Sequence, residues 1–305
     1  MYVIKNKELK MKAKLLLTIA AATMILAGCS NDENEMTDNW NGEIRLSSGV
    51  SVQQTRANSD DVPDKQIAAG QQIGIYVSGV TGETNYTGYA NISAKADGSG
   101  NFSDYSTPMY YPQSGNSVNI AAYHPYKADA ADEYDFTVAP IQSDAANYYA
   151  SDLLYSTSAE FARSKTAHSL TFKHLLSKIT CTLTAGEGVS SVAGATVVIC
   201  DVETAVKFNR TTGAVGTAQT SSKRDVTPGT YGAIIAPQTV PMSTQLLKVT
   251  LSNGGVFYYK TEEQTIFAGG SKYAYTITVK ASGLTVKSTI DPWTAISKTG
   301  DAVME

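Results

Sequence analysis

With 305 residues and 42% hydrophobic side chains, the chain can form one large core or two modest ones. Its 24 Lys and Arg against 28 Asp and Glu give a net charge of −4, and past the leader the basic cluster is limited to "SSKRD" at 221–225, which argues against nucleic acid as a partner. Charged residues make up only 17%, whereas Tyr reaches 18 and Gly 24, a composition that suits pleated, half-buried surfaces better than helices.

The chain opens with a basic region (Lys10, Lys12, Lys14) and the apolar run "LLLTIAAATMILAG", which ends in small residues before Cys29. That order predicts a signal peptide over 1–28, read equally well from Met1 or Met11. The run from Leu15 to Gly28 is shorter than the roughly 18 residues that span a bilayer. "LAGC" resembles a bacterial lipobox, so Cys29 is expected to carry the acyl chains, palmitate-like, that hold a lipoprotein in a membrane. Residues 29–42 read as an acidic, lipid-anchored linker, similar to the signal that routes Bacteroidetes lipoproteins to the outer face of the outer membrane.

Next comes a period-two run. Ile44, Leu46, Val50 and Val52 share one face, Ser48 is the one small interruption, and Arg45, Ser47, Ser51 and Gln53 fall on the other face. This predicts a strand over 43–53 with one side to bury. Arg56 follows, then Ala57 and "NSDD", the kind of polar loop that proteases enter.

From "QQIGIYVSGV" at 71–80 to "GLTVKSTI" at 283–290, short strand-type runs recur with turn residues between them. "LSNGGVFYY" is the sharpest hairpin signal, because Asn253, Gly254 and Gly255 tolerate positive φ between two strands. Helical spacing is confined to the ambiguous stretch 145–162. The expected architecture is all-β, with two tandem antiparallel sandwiches: an N-terminal domain over 43–186 and a C-terminal domain over 187–305, divided in the Gly-rich "AGEGVSSVAG" at 185–194.

Catalytic patterns are weak. His124, His168 and His174 are scattered, and no His-x-x-x-His, Cys-x-x-Cys, P-loop or G-x-S-x-G spacing occurs, so neither metal, cofactor nor enzymatic activity is expected. Asp60 with Asp61 and Glu262 with Glu263 read as solvated loop charge. Cys181 and Cys200, about 20 residues apart in candidate strands, are either a disulfide or two buried thiols. Twelve tyrosines crowd the first half, from Tyr76 to Tyr155; they fit cross-strand packing or sugar-stacking platforms.

Taken together, the lipobox at Cys29, "TRA" at 55–57, "FKHLLSKI" at 172–179, "YGAIIAPQ" at 231–238, "GGSKYAYTITV" at 269–279 and "IDPW" at 290–293 resemble the fimbrillin family, the pilins of protease-assembled fimbriae of Bacteroidales. The resemblance implies two transthyretin-like Greek-key sandwiches and an Arg-specific protease that cuts between Arg56 and Ala57. It further implies release of the strand 43–53 with its lipid anchor, and polymerisation with other copies or related pilin subunits. The protein would then pass from the outer membrane at the cell surface into a fimbrium serving adhesion. The family's donor strand is C-terminal, which points here to residues 284–305, with Leu284, Val286 and Ile290 alternating around Ser288. Stalk, tip and anchor positions all remain open to such a chain. The competing class is a monomeric surface lipoprotein that binds glycans or host matrix with Arg56 uncut.

Overall fold

The computed structural model describes residues 39–50, 66–129 and 131–292. The leader, Cys29, Val52, Arg56, Ala57 and residues 293–305 of the expected donor segment lie outside the described residues. The twenty strands among the described residues belong to the unit that begins at Asn41.

In chain order the first half holds β1 (Leu46–Val50), β2 (Gln72–Gly79), β3 (Tyr89–Ala96), β4 (Phe102–Ser103), β5 (Val118–His124) and β6 (Glu133–Thr137). Helix α1 (Ala145–Ser151) follows, then β7 (Leu154–Phe161), β8 (His168–His174), β9 (Ser177–Ala185), β10 (Thr196–Val202), β11 (Ala205–Asn209) and β12 (Val215–Ala218). The remainder is β13 (Arg224–Val226), β14 (Ala233–Ile235), β15 (Gln238–Val240), β16 (Gln245–Thr250), β17 (Val256–Lys260), β18 (Thr265–Phe267), β19 (Ser271–Lys280) and β20 (Gly283–Pro292). The protein is therefore nearly all β, as composition and patterning imply.

The largest sheet has seven strands in the order β1-β8-β7-β5-β2-β3-β4. Its two ends meet, because Ser47 of β1 forms a bridge with Asn101 just before β4. At the centre, β5 buries both faces. Ala121 and Tyr123 join one core while Val118, Ile120 and Ala122 point the other way, which is why "VNIAAY" lacks polar alternation. The three-stranded sheet β12-β11-β6 covers the first of these faces. There the Phe208 ring lies 6.0 Å from Tyr123 and 6.4 Å from Tyr155, in tilted and edge-on contacts.

A second sandwich is built from β13-β10-β16-β17 and β14-β9-β19-β20. Ile199, Leu247 and Val249 from one sheet meet Ile179, Ile277, Val279, Leu284 and Val286 from the other in a single core. The β16–β17 hairpin turns at Leu251 to Gly255, with Gly254 at φ 88° and the Asn253 side-chain oxygen accepting from the Gly255 N–H at 3.1 Å.

Three expectations differ in detail. The ambiguous stretch 145–162 divides into α1 and β7: Asp144 caps the helix by accepting from the Ala146 N–H, and at Asp152 the backbone is already extended. Pairing is not wholly antiparallel, since β1 runs parallel to β8 and β9 parallel to β19. These partners are far apart in sequence, and side-chain alternation carries no information on strand direction. The division expected at residue 187 falls inside the second sandwich, because β9 pairs with β14 and β19. Conversely β11 pairs with β6 of the first half. The Gly-rich segment is the turn between β9 and β10, which join opposite sheets of that sandwich.

Candidate functional site

The first strand sits between two walls and is hydrogen-bonded along both edges. Gly42, at φ 87°, offers its carbonyl to the Tyr111 N–H at 2.9 Å, and the Ile44 N–H donates to the Met109 carbonyl at 2.7 Å. Toward β8, the His168 N–H donates to the Arg45 carbonyl at 2.9 Å, and a parallel register then runs from Leu46 opposite His168 to Val50 opposite Phe172. Toward β4, the Ser48 N–H donates to the Gly100 carbonyl at 2.7 Å. Backbones approach so closely there that a Cβ on Gly100, whose φ is +96°, would stand 2.8 Å from the Ser48 carbonyl oxygen.

Beneath the strand the slot is apolar. Ile44 and Leu46 retain 2% and 3% of their exposure, and the segments that flank the strand carry buried apolar side chains of their own, Leu170 and Phe172 on β8, Phe102 on β4, and Met109 and Tyr111. Phe102 and Phe172 meet edge to face, ring centroids 6.4 Å apart at 66°. Burial pushes the Tyr105 phenol up to about 12 and raises those of Tyr111 and Tyr86. These groups stay neutral across the physiological range. A neutral apolar groove edged by backbone N–H and C=O groups is chemically suited to one kind of occupant, an extended peptide. Covering Ile44 and Leu46 contributes roughly 3–6 kcal/mol before the cost of ordering the strand.

Ile44 and Leu46 thus occupy the expected interior positions. The backbone of Val50 closes β1, and its side chain lies outside the described residues, as does all of Val52. Sequence reasoning missed the walls. Leu170 and Phe172 alternate visibly in "SLTFKH", which could have marked β8 as a one-sided strand, whereas Phe102 sits in a two-residue strand too short for any periodic signal.

The expected donor residues are embedded in their own sandwich. β20 forms an antiparallel ladder with β19 from Gly283 opposite Lys280 to Pro292 opposite Ser271. Leu284 and Val286 are 2% and 1% exposed, and Ile290 packs partly buried against the same core. β20 is the end strand of its sheet.

Cys181 and Cys200 are free thiols, which corrects the disulfide alternative. Cys181 shares the core-facing side of β9 with Ile179 and Leu183. Cys200 follows the core residue Ile199 on β10, in the opposing sheet, and so points away from that core. Burial pushes their pKa values up to about 12 and about 11.

The polar residues weighed for catalysis are structural in their contacts. His174 Nδ1 lies 2.7 Å from Asp152 Oδ1 in a nearly buried pair. His124 is buried with Nδ1 2.8 Å from the Gln72 carbonyl and Nε2 3.1 Å from that of Tyr149, and burial lowers its pKa below the ordinary imidazole value. Glu262 and Glu263 are exposed. All twelve of these tyrosines are buried or half-buried, and several meet other rings, as Tyr76 does Tyr123 and Tyr148 does Tyr231.

Comparison with known proteins gives a consistent picture. A family model described as fimbrillin-like matches residues 55–293. A protein of Bacteroides uniformis, named as a candidate fimbrium subunit, is 29% identical over 303 residues, covering 93% of this chain and 96% of its own. The crystal structure of a candidate cell adhesion protein from Bacteroides uniformis superposes with a TM-score of 0.63 at 24% identity, covering 83% of this chain and 99% of the other. A second, from Bacteroides ovatus, does so at 0.63 and 19%, over 86% and 98%. At these identities the two structures speak for the fold.

Proposed function

The chain belongs to the fimbrillin-like family, and from that premise we infer that it is a structural subunit of a cell-surface fimbrium, exported as a lipoprotein through Cys29, cut between Arg56 and Ala57, and polymerised by strand exchange. The observation that carries this reading is the filled slot: β1 is buried beneath and bonded on both edges, and Arg56 stands six residues beyond its end.

The physics follows from what the cut removes. While attached, β1 satisfies the backbone of β8 and of the 100–101 segment and covers the floor of the slot. Once the lipid-bearing peptide departs, that floor is wetted and the two edges lose their partners. A strand from another subunit restores both the hydrogen bonds and the burial. The slot and the C-terminal strand material lie on different parts of one chain, so the contact is head-to-tail and propagates along a filament. Because the donor segment begins in β20, donation requires β20 to leave β19, so release of that strand is part of the exchange.

Arg56→Ala tests the scheme. Cells producing the variant should keep the full-length lipidated chain and lose high-molecular-weight surface ladders, read by electrophoresis without boiling and by N-terminal sequencing. Polymer equal to wild type would remove Arg56 from the mechanism.

A further inference from the structure

What governs which strand fits the slot, and in which register, is set by its floor; the inference below rests on the removable-strand reading. Three side chains of the resident peptide face inward in order: Ile44 and Leu46, both large, then Ser48, small. The walls account for the change in size. Asn101 pairs with Ser47, so Gly100 lies opposite Ser48 and Phe102 opposite Leu46, while on the other wall Phe172 is opposite Val50. The two rings therefore start two residues to either side of the Ser48 level and meet at 6.4 Å between centroids, a geometry that points to their junction lying at that level. Ser48 itself is half-buried, with the buried Leu170 opposite it on β8.

The same spacing of aliphatic residues around a serine recurs in β20. Leu284, Val286, Ser288 and Ile290 repeat the large, large, small, large order of Ile44, Leu46, Ser48 and Val50, at the same two-residue intervals. We propose that the Phe102–Phe172 pair is a register gate that admits a strand only with a small side chain above it, and that its occupant in the fibre is β20 of a second copy of this chain, with Ser288 in the place of Ser48. In that register Val286 falls opposite His168, Ser288 opposite Leu170 and Ile290 opposite Phe172, parallel to β8 as β1 is. A slip of two residues in either direction drives Val286 or Ile290 onto the rings, which the filled floor cannot absorb without displacing them.

The experiment uses the full chain before and after trypsin-like cleavage at Arg56, with fluorescein-labelled synthetic peptides of residues 43–53 and 283–292, read by fluorescence anisotropy and co-elution. Both peptides should be captured by the cut chain and neither by the uncut one. Ser288→Leu in the second peptide should weaken capture about tenfold or more. Phe102→Leu, a mild change at a floor residue, should shrink that penalty in the protein by opening space, and Phe172→Leu provides the same test from the other wall. Capture of 43–53 without 283–292, equal capture of the Ser288→Leu peptide, or a penalty unchanged by both Phe variants overturns the gate and leaves the removable strand standing. Capture of 283–292 by the uncut chain also overturns it, since the peptide would then be replacing β20 on β19. Failure of 43–53 to rebind defeats the underlying reading itself.

Discussion

Two strands of this protein have the same side-chain rhythm and opposite circumstances. β1 is short, lies parallel to a partner far away in sequence, and is held in a slot between two walls. β20 is long and forms an antiparallel hairpin with β19, its immediate predecessor. Both bury two aliphatic residues almost completely, Ile44 and Leu46 in one case, Leu284 and Val286 in the other. Burial alone therefore does not distinguish a strand that a single cut would detach from one that must first unzip from its own hairpin. What differs is the number of ladder bonds and whether the partner is a neighbour in the chain, and on both counts β1 is the easier to lose.

That contrast can be broken most completely by fixing β20 in place. Ala274 and Thr289 face each other across the β19–β20 ladder, within reach of a bridge between directly opposed strand positions. The double variant Ala274→Cys, Thr289→Cys should, when oxidised, abolish ladder formation by cut subunits and regain it under reductant. Ladders that persist under oxidation would mean that another segment donates. Smaller but still large is the effect of trimming each strand. Leu46→Ala should lower the stability of the uncut chain by about 2–5 kcal/mol and leave the cut, strand-free chain unchanged. Leu284→Ala should cost about the same in both forms, as measured by denaturant melts before and after cleavage. Equal losses from Leu46→Ala in both forms would show that β1 remains bound after the cut.

The mildest effect separates the slot from the seam beside α1. His124 is buried with its pKa depressed, so the unfolded chain binds the proton more readily, and stability is lost as pH falls below the ordinary imidazole value of about 6.5. Thermal melts from pH 7.5 down to 5 should show a decline of at most about 1.4 kcal/mol per pH unit from this group. His124→Gln should flatten it. The pH slope of peptide capture at the slot should be unaltered by that change, since the ring nitrogens of His124 meet the Gln72 and Tyr149 carbonyls and not β1 or its walls.

Much of this is legible in the sequence alone, and the reasons are local. Ile44 and Leu46 alternate cleanly because one face of β1 meets a core and the other does not. The Asn253–Gly255 turn was visible because positive φ has a chemical signature. Strand direction and sheet membership were hidden. Nothing in "SKITCTLTA" states that β9 will leave the first half for the second sandwich, because that choice depends on β19, which arrives nearly a hundred residues later. Phe102 was hidden for a different reason, as its role comes from a ring on another strand. The two cysteines show the limit of spacing as a guide: both lie in strands, yet they belong to opposite sheets and point differently.

The parallel direction of β1 also bears on how it can be detached. Antiparallel neighbours can be joined by a two-residue turn, but a strand lying parallel to its partner cannot, and the partner of β1, β8, begins only at His168. β1 is thus not half of a tight hairpin with β8, and in the sequence Arg56 falls within the 21 residues that separate Val50 from Gln72. On the proposed scheme, one peptide bond broken at Arg56 would free the strand without tearing such a hairpin apart.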